Sequence, residues 1–235
     1  MEQPFNNSKG CGGIMRVAPV GLYMNRCMEN MTDQMKDLDL IAAETAAITH
    51  GHPLGYMPTA ALAHIINRIV YWNMSVEEAV RDVISAMREV FKNQAYLEEM
   101  VALMEKAIRL ANNDVSDTEN VRELGEGWEA EETLSISIYC SVRYADNFSK
   151  SIITAVNHDG DSDSTGAVTG NIVGAAVGYE NIPDEWKEYL ECLEVILEVA
   201  GDLCHDCQME EYRSYRDPEW EAKYIYMKVY QPEIL

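Results

Sequence analysis

A short acidic loop, residues 157–165, carries the side chains best suited to bind a cation. Asp161 and Asp163 stand two residues apart, and carboxylates at this spacing on a tight turn can converge on one hard cation such as Mg²⁺, Mn²⁺ or Ca²⁺. Ser164 and Thr165 follow directly and add hydroxyl oxygens, which can also cap a helix that begins here. Taken alone, the loop is open to two interpretations: a solvated turn with a helix cap, or a catalytic metal site.

An EF-hand calcium loop is excluded by position. Asp159, Asp161 and Asp163 fit the first, third and fifth places of such a loop. The sixth place, which requires glycine, holds Ser164, and the twelfth, which requires glutamate, holds Gly170. The acidic loop is therefore not an EF-hand.

Three other loops separate apolar segments and contain residues suited to ligand binding: residues 6–19, 50–58 and 124–128. The first has glycines at positions 10, 12 and 13. Glycines let a backbone approach a phosphate closely, and free N–H groups can bind its oxygens. A tight turn without a ligand is the simpler explanation of these glycines when they are considered alone.

Apolar residues recur with helical spacing along most of the chain, and these helices must position the loops. Ser75 and Glu78 have the spacing of a capping box, and Ser116 and Glu119 suggest a second cap. No segment alternates with a period of two, so the fold is predicted to be an all-α, multi-helix orthogonal bundle. Helices are predicted for residues 38–48, 59–72, 76–90, 96–110, 129–144, 148–156, 165–179 and 184–203.

The helix that follows the acidic loop has glycines four residues apart, at Gly166, Gly170, Gly174 and Gly178. Each interior glycine costs roughly 1 kcal/mol relative to alanine, so something must compensate for the strip that lacks side chains. Another helix packed closely is the commoner cause, and a ligand against the backbone is the alternative; both can hold.

The chain of 235 residues suits a single domain, residues 1–235, with an aromatic and charged tail, residues 204–235, packed on the bundle. Its 40 acidic and 18 basic residues give a net charge of −22. A field of this sign argues against polynucleotide and anionic-membrane partners and favours cations.

The cysteines and the amino terminus suggest a reducing compartment. Met1 is followed by polar residues, so we expect no signal peptide, free thiols and a cytoplasmic protein. No apolar stretch is long enough to cross a bilayer. Cys204 and Cys207 have zinc-like spacing but no second pair, and we interpret them as surface thiols. The six cysteines are Cys11, Cys27, Cys140, Cys192, Cys204 and Cys207.

Four segments together resemble the ADP-ribosylglycohydrolase family. Residues 8–19 resemble its glycine-rich substrate loop, residues 49–53 its histidine turn, and residues 124–132 its Leu-Gly-Glu-Gly-Trp segment. The acidic loop with residues 166–171 is similar to its carboxy-terminal metal motif. The four occur in the family's order, and together they are highly specific.

The resemblance implies roles for individual residues. Asp161, Asp163 and Ser164, with Thr165 as a further candidate, would bind Mg²⁺ or Mn²⁺, which form a pair in the complete family site. The glycine-rich loop would hold the diphosphate and the adjoining ribose, the histidines would line the ribose pocket, and the tryptophan loop would shape the entrance. The residues expected to bind substrate are Ser8, Lys9, Gly10, Gly12, Gly13, Met15, Arg16, His50, His52 and Trp128.

Two motifs typical of the family's amino-terminal part do not occur in the sequence: a Gly-Asp motif and a Thr-Asp-Asp-Thr turn. In the family these supply the other metal ligands and lie near the general acid or base, so no catalytic residue is identified in this chain. We expect a bundle that is incomplete at its amino terminus. The chain would be a fragment, one half of a two-chain enzyme whose partner supplies that segment, or a degenerate member.

The resulting functional hypothesis is metal-dependent hydrolysis of the glycosidic bond between ADP-ribose and a protein side chain or small molecule, with the activity of the chain without the missing segment left open. The alternatives are a non-catalytic module that binds ADP-ribose or a nucleotide diphosphate, and a structural remnant without a ligand.

Overall fold

The computed structural model describes residues 5–24, 31–205 and 217–226. The chain divides into two compact units, residues 1–186 and 187–235. The predicted all-α fold is confirmed: no strand occurs in the part of the chain that the structure describes, and a single isolated bridge pairs Gly10 with Glu129.

The first unit contains nine α-helices among its described residues, joined by short loops. The helices are α1 (Ala18–Tyr23), α2 (Met31–Ala47), α3 (Pro53–Trp72), α4 (Val76–Val90), α5 (Leu97–Ala111), α6 (Asp117–Leu124), α7 (Ala130–Arg143), α8 (Phe148–Val156) and α9 (Ser162–Val177). Short 3₁₀ turns cover Ile14–Arg16, Tyr179–Asn181 and Asp184–Trp186.

Helix α3 forms the centre of the first unit. It contacts α1, α2, α4, α5, α7 and α9, and nearly every residue from Leu54 to Ile69 is buried. Such a helix is apolar on all faces because other helices surround it. It therefore provides a rigid support for the loops at its amino-terminal end.

Helix α3 begins earlier than predicted, because residues 53–58 were expected to form a loop. Pro53 occupies the first helical position, where a backbone N–H would have no hydrogen-bond partner within the helix, so proline is tolerated there. The side chain of His52 caps the helix by accepting a hydrogen bond from the backbone N–H of Leu54 at 3.1 Å. The prolines that indicated a loop thus belong to the start of the helix.

The predicted caps of α4 and α6 are present. The Ser75 hydroxyl accepts a hydrogen bond from the N–H of Glu78 at 3.3 Å, and the Glu78 carboxylate accepts one from the N–H of Ser75 at 2.9 Å. The Ser116 hydroxyl accepts a hydrogen bond from the N–H of Glu119 at 3.4 Å.

Helix packing accounts for the first half of the glycine strip on α9. A Cβ on Gly166 would lie 2.6 Å from Val156 Cγ1, and one on Gly170 would lie 3.7 Å from Ile152 Cδ1, both on α8. No atom lies within 4 Å of a Cβ built on Gly174. The commoner explanation, close helix packing, therefore holds for the amino-terminal half of α9.

The prediction of a helix over residues 184–203 was wrong at its start. The 3₁₀ turn Asp184–Trp186 is followed by turns, and the helix, α10, spans Leu193–His205. Cys192 adopts a left-handed φ of 58°, which a right-handed helix cannot contain.

Among its described residues, the second unit contains α10 and a short helical segment, Pro218–Trp220, that continues into a π-helix, Glu221–Ile225. Lys223 and Tyr224 both bond to the carboxylate of Asp202 on α10. Cys207 lies outside the described residues, as does most of the tail, so the single-domain organisation and the packing of the tail remain predictions. No described helix is long and apolar enough to span a bilayer.

A buried polar cluster joins three helices of the first unit. His64 on α3 is fully buried, and its two ring nitrogens lie 2.9 Å from Asp39 Oδ1 on α2 and 3.0 Å from Asp82 Oδ2 on α4. Arg68 Nε donates to the same Asp82 oxygen at 2.6 Å. Because Asp39 is also buried, the His64 ring is the hydrogen-bond partner on which its carboxyl group depends.

We expect His64→Ala to lower the free energy of unfolding by about 3–5 kcal/mol, because it leaves the Asp39 carboxylate buried without its partner. Urea unfolding of the wild type, both single alanine variants and the Asp39→Ala/His64→Ala double variant measures the coupling. The double variant should lose less than the sum of the two single losses. Additive losses would show that the pair is not coupled.

Candidate active site

The acidic loop leads directly into α9 and places its carboxylates at the start of that helix. Asp161 precedes the first residue of α9 and is 8% exposed, and Ser164 is buried. The side chains of Asp161 and Asp163 are hydrogen-bonded to each other. Repulsion between two neighbouring carboxylates favours a proton or a cation beside them.

The pKa values of the two aspartates shift in opposite directions. Burial raises the pKa of Asp161, but hydrogen bonds with Asp163, Cys11 and Ser164 outweigh it, and the net pKa is lowered. The hydrogen bond with Asp161 and the charge of its carboxylate raise the pKa of Asp163. Of the two carboxylates, Asp163 is therefore the first to take up a proton as the pH falls.

Thr165 has a structural role in the same loop. Its hydroxyl donates to the carbonyl of Ala155 at 2.7 Å and lies 2.9 Å from His158 Nε2. Both contacts hold the hydroxyl within the protein, and the residue is buried. Its expected role as a metal ligand remains a prediction.

The glycine-rich loop lies against the acidic motif, although about 150 residues separate the two in sequence. The Cys11 thiol donates to Asp161 Oδ2 at 2.7 Å. The Ser164 hydroxyl lies 3.3 Å from Cys11 Sγ and 3.5 Å from Met15 Sδ. The structure thus brings together the two elements on which the predicted site depends.

The imidazole of His50 supports the glycine-rich loop. A Cβ on Gly12 would lie 3.0 Å from His50 Cε1, and one on Gly13 would lie 3.4 Å from His50 Nδ1. Thr49 accepts a hydrogen bond from Arg16 at 2.5 Å and lies 2.8 Å from His50 Nδ1. Burial and the charge of Arg16 lower the pKa of His50, which favours the neutral ring.

The other residues expected to bind substrate lie nearby. The carbonyl of Ser8 accepts a hydrogen bond from the N–H of His52 at 3.2 Å, and the His52 ring packs on Tyr96 with centroids 4.8 Å apart. Lys9 forms an ion pair with Glu129. Gly10 adjoins His50 and pairs with Glu129 in the isolated bridge.

The segment from Glu126 to Ala130 connects the two loops through its backbone. The carbonyl of Glu126 accepts from the N–H of Asp161 at 2.7 Å. The carbonyl of Trp128 accepts from the N–H of Cys11 at 3.1 Å. Trp128 itself is 57% exposed, consistent with a side chain at the rim of a site.

The donor atoms at the acidic motif fit part of the coordination shell of a hard cation. Asp161, Asp163 and Ser164 offer carboxylate and hydroxyl oxygens, which Mg²⁺ and Mn²⁺ prefer. Among the described residues, no group of three or more His, Cys, Asp or Glu side chains is arranged to hold a metal ion. The assignment of Asp161, Asp163 and Ser164 as metal ligands remains a prediction.

Sequence reasoning did not identify the role of Cys11, although the residue stands between glycines that were singled out. It also assigned no role to Glu131, although this residue lies within the segment 124–132. Glu131 is 6% exposed; its Oε1 lies 3.7 Å from Lys9 Nζ, and its Oε2 has no hydrogen-bond partner among the residues described. Burial raises the pKa of Glu131 to about 7.

Comparison with known proteins identifies the class to which this fold and site belong. The sequence profile described as ADP-ribosylglycohydrolase matches residues 1–213. The chain belongs to the ADP-ribosylglycohydrolase family.

The chain is similar to several curated proteins. It is 26% identical over 205 residues to the ADP-ribosylhydrolase ARH3 of Bos taurus, covering 78% of this chain and 54% of that protein. It is 31% identical over 199 residues to an uncharacterised protein of Archaeoglobus fulgidus, covering 83% and 58%. A shorter match, 37% identical over 81 residues, relates 34% of the chain to 22% of the ADP-ribosylarginine hydrolase Tri1 of Serratia proteamaculans. The chain spans about half the length of the ARH3 protein it matches.

We expect Gly160→Ala to disrupt the acidic loop. A Cβ on Gly160 would overlap the carbonyl oxygen of Glu126, the same atom that accepts the hydrogen bond from Asp161. Because backbone must move, the variant should unfold at a lower urea concentration than wild type, with a loss of roughly 1–3 kcal/mol. Gly174→Ala is the matched control: its Cβ meets open space, and alanine should raise stability by up to about 1 kcal/mol. Equal effects of the two substitutions would contradict the proposed close approach.

The raised pKa of Glu131 predicts a pH-dependent stability. The folded chain keeps this proton up to about pH 7, whereas the unfolded chain releases it near the ordinary value of 4.5. This contribution is therefore complete below about pH 4.5 and is lost as the pH rises through about 7, a decrease of roughly 3 kcal/mol at most. Glu131→Gln should become progressively more stable than wild type over this range, measured by urea unfolding at several pH values.

Glu78→Gln provides a control of opposite sign. Hydrogen bonds with the Ser75 side chain and backbone lower the pKa of Glu78, so its contribution is present at neutral pH and is lost as the pH falls. Its replacement should therefore reduce stability at neutral pH and have less effect in acid. If the curves of wild type and Glu131→Gln run parallel, the Glu131 proton is not linked to folding.

Proposed function

We propose that this chain takes part in metal-dependent hydrolysis of the glycosidic bond between ADP-ribose and a protein side chain or small molecule. Membership of the ADP-ribosylglycohydrolase family and similarity to ADP-ribosylhydrolases support this reaction class. The activity of the chain by itself is part of the proposal, because the match spans only about half of ARH3.

The observation that carries the proposal is the contact between the glycine-rich loop and the acidic motif. Cys11 touches Asp161 at 2.7 Å, and Met15 approaches Ser164 at 3.5 Å. A phosphate-bearing ligand on the loop would therefore lie beside oxygens suited to a hard cation. Hydrolysis at a ribose next to a diphosphate requires a phosphate-binding loop beside a cation-binding group, and this contact supplies that arrangement.

In this proposal Asp161, Asp163 and Ser164 hold Mg²⁺ or Mn²⁺ by their oxygens. The bound ion supplies Lewis-acid and template chemistry at the ribose. Any proton on either carboxyl must leave when a cation enters, because a coordinating carboxylate is deprotonated. The buried position of Asp161 limits competition from water for the same oxygens.

The glycine-rich loop is proposed to bind the diphosphate and the adjoining ribose. The ring of His50 lies against Gly12 and Gly13 and fixes the course of the backbone. Arg16 is held next to this loop by Thr49 and adds a positive charge that suits a phosphate. His52 and Trp128 are proposed to line the ribose pocket and the entrance, respectively.

We expect the chain to bind Mn²⁺ and to lose at least tenfold in affinity on Asp161→Asn, because one anionic ligand is removed. Mn²⁺ binding is measured by electron paramagnetic resonance of the free ion, and ADP-ribose binding by the shift of the melting temperature. Asp159→Asn is the matched control, since it makes the same charge change at an exposed residue of the same loop.

The outcomes separate the three functional hypotheses. A melting shift that requires both Mn²⁺ and ADP-ribose and is lost in Asp161→Asn supports the metal-dependent site. A shift with ADP-ribose alone, unchanged in Asp161→Asn, identifies a non-catalytic binding module. No shift with either ligand identifies a remnant.

Turnover is tested by the release of ADP-ribose from an ADP-ribosylated protein. The chain is assayed alone and in a mixture with a separately supplied amino-terminal segment of a family member. Release only in the mixture would support the two-chain arrangement. Robust release by the isolated chain would refute the expectation that another segment is required.

A further inference from the structure

His158 lies in the acidic loop, three residues before Asp161, and is not one of the residues expected to bind the metal or the substrate. Its side chain is partly buried, and both ring nitrogens have partners. The N–H of Gly160 donates a hydrogen bond to His158 Nδ1 at 3.1 Å. The Thr165 hydroxyl lies 2.9 Å from His158 Nε2. The imidazole therefore joins the turn before Asp161 to the first turns of α9.

The partners of the His158 ring determine which nitrogen carries its proton. A backbone N–H can only donate, so Nδ1 must be the unprotonated nitrogen that accepts the bond from Gly160. The Thr165 hydroxyl uses its own proton in its shortest hydrogen bond, to the carbonyl of Ala155 at 2.7 Å. It therefore accepts the proton of Nε2. A neutral ring protonated at Nε2 satisfies every group in this series.

Thr165 provides the rigid end of the series. The residue is fully buried, and its carbonyl accepts a hydrogen bond from the Ser137 hydroxyl on α7 at 3.2 Å. Its hydroxyl bonds to the carbonyl of Ala155, which belongs to α8. Because two neighbouring helices hold Thr165, the ring of His158 that bonds to it has a defined position.

The other end of the series is a glycine, where the backbone most needs a restraint. Glycine has more conformational freedom than any other residue, and Gly160 directly precedes Asp161. The N–H of Gly160 is held by His158, and the N–H of Asp161 is held by the carbonyl of Glu126 at 2.7 Å. These two bonds fix the peptide planes on both sides of Gly160. They thereby set the direction in which the Asp161 side chain leaves the backbone.

We propose that His158 is a positioning residue, whose imidazole holds the turn at Gly160 and so orients the Asp161 carboxylate for a divalent cation. This inference rests on the proposed function, because it assigns the effect of His158 to cation binding at the acidic motif. Removing a hydrogen-bond partner of a metal ligand commonly lowers metal affinity by about 10–100-fold. Because His158 acts through the backbone, we expect a loss near the lower end of this range.

The test compares variants by their affinity for Mn²⁺, measured by electron paramagnetic resonance of the free ion. His158→Ala removes the acceptor of the Gly160 N–H and should weaken Mn²⁺ binding roughly tenfold. His158→Asn is the conservative variant, because Oδ1 of asparagine can take the place of Nδ1 and accept from the N–H two residues ahead. This variant should recover most of the affinity that His158→Ala loses.

Asn157→Ala is the matched control that separates positioning from stability. The Asn157 side-chain amide donates to the carbonyl of Ile153 on α8 at 2.6 Å, a bond that involves neither Gly160 nor Asp161. Its removal should lower the free energy of unfolding and leave the affinity for Mn²⁺ unchanged. Urea unfolding of every variant verifies that binding is measured on folded protein.

A second measurement does not depend on the metal. In metal-free protein labelled with ¹⁵N-histidine, nuclear magnetic resonance identifies the protonated nitrogen of each ring, and the His158 signals are those absent from His158→Asn. We expect the proton on Nε2. We also expect the Gly160 amide to exchange slowly with solvent in wild type and in His158→Asn, and faster in His158→Ala, where its acceptor is missing.

The inference is overturned by a proton on Nδ1, by equal Mn²⁺ affinities of His158→Ala and wild type, or by equal losses in His158→Asn and His158→Ala. A loss of affinity in Asn157→Ala as large as that in His158→Ala would also overturn it. If wild type binds no Mn²⁺, the metal site of the proposed function fails. The ring nitrogens and the Gly160 amide then decide separately whether His158 holds the turn.

Discussion

The backbone of residues 126–130 is the constraint on which the candidate active site depends. Its carbonyls accept hydrogen bonds from Asp161 and Cys11, and the N–H of Ala130 donates to the carbonyl of Lys9. One short segment thus fixes the relative position of two loops that are far apart in sequence. Because these are backbone bonds, their geometry depends little on side-chain identity and mainly on how closely the chains can approach.

Close approach explains the glycines of this region better than flexibility does. Gly127 has a φ of 81°, and a Cβ there would lie 2.8 Å from Thr165 Cγ2. Gly160 faces the carbonyl of Glu126, where no side chain fits. Both glycines lie at the junction between the acidic loop and the segment 126–130. The sequence shows that glycines are present, but only the fold shows which neighbour each of them must avoid.

Helical periodicity predicted most of the architecture because each helix buries one continuous face. The apolar stripe of α4 and its capping box marked both the face and the start of that helix. The prediction was wrong where local geometry overrides periodicity: at Pro53, which begins α3, and at Cys192, whose left-handed φ ends the turns before α10. The pattern of apolar residues therefore predicts the buried face of a helix more reliably than it predicts the residue at which the helix begins.

The candidate site residues could be named from motifs, but the contacts between them could not be predicted. Asp161 and Asp163 could be paired from spacing alone, because two residues on one turn must be near each other. The contact between Cys11 and Asp161 could not be predicted in this way. It depends on how α3, α7 and α9 pack against one another, and sequence spacing does not report this packing. Glu131 was missed because a glutamate in the first turn of a helix usually faces solvent, whereas here the loop carrying Lys9 covers it.

The hydrogen-bonding at the acidic motif shows what ligand binding would have to change. Hydrogen bonds with Asp163, with the Cys11 thiol and with Ser164 lower the pKa of Asp161 and so favour its carboxylate form. A hard cation would compete with the thiol for the same oxygen, since a carboxylate oxygen bound to metal is a weaker acceptor. The glycine-rich loop would then lose one of its contacts with the acidic motif while the backbone bond from Cys11 to Trp128 remains. Backbone contacts therefore set the position of the glycine-rich loop. Side chains that can exchange hydrogen-bond partners, such as Cys11, would adjust the loop to a ligand.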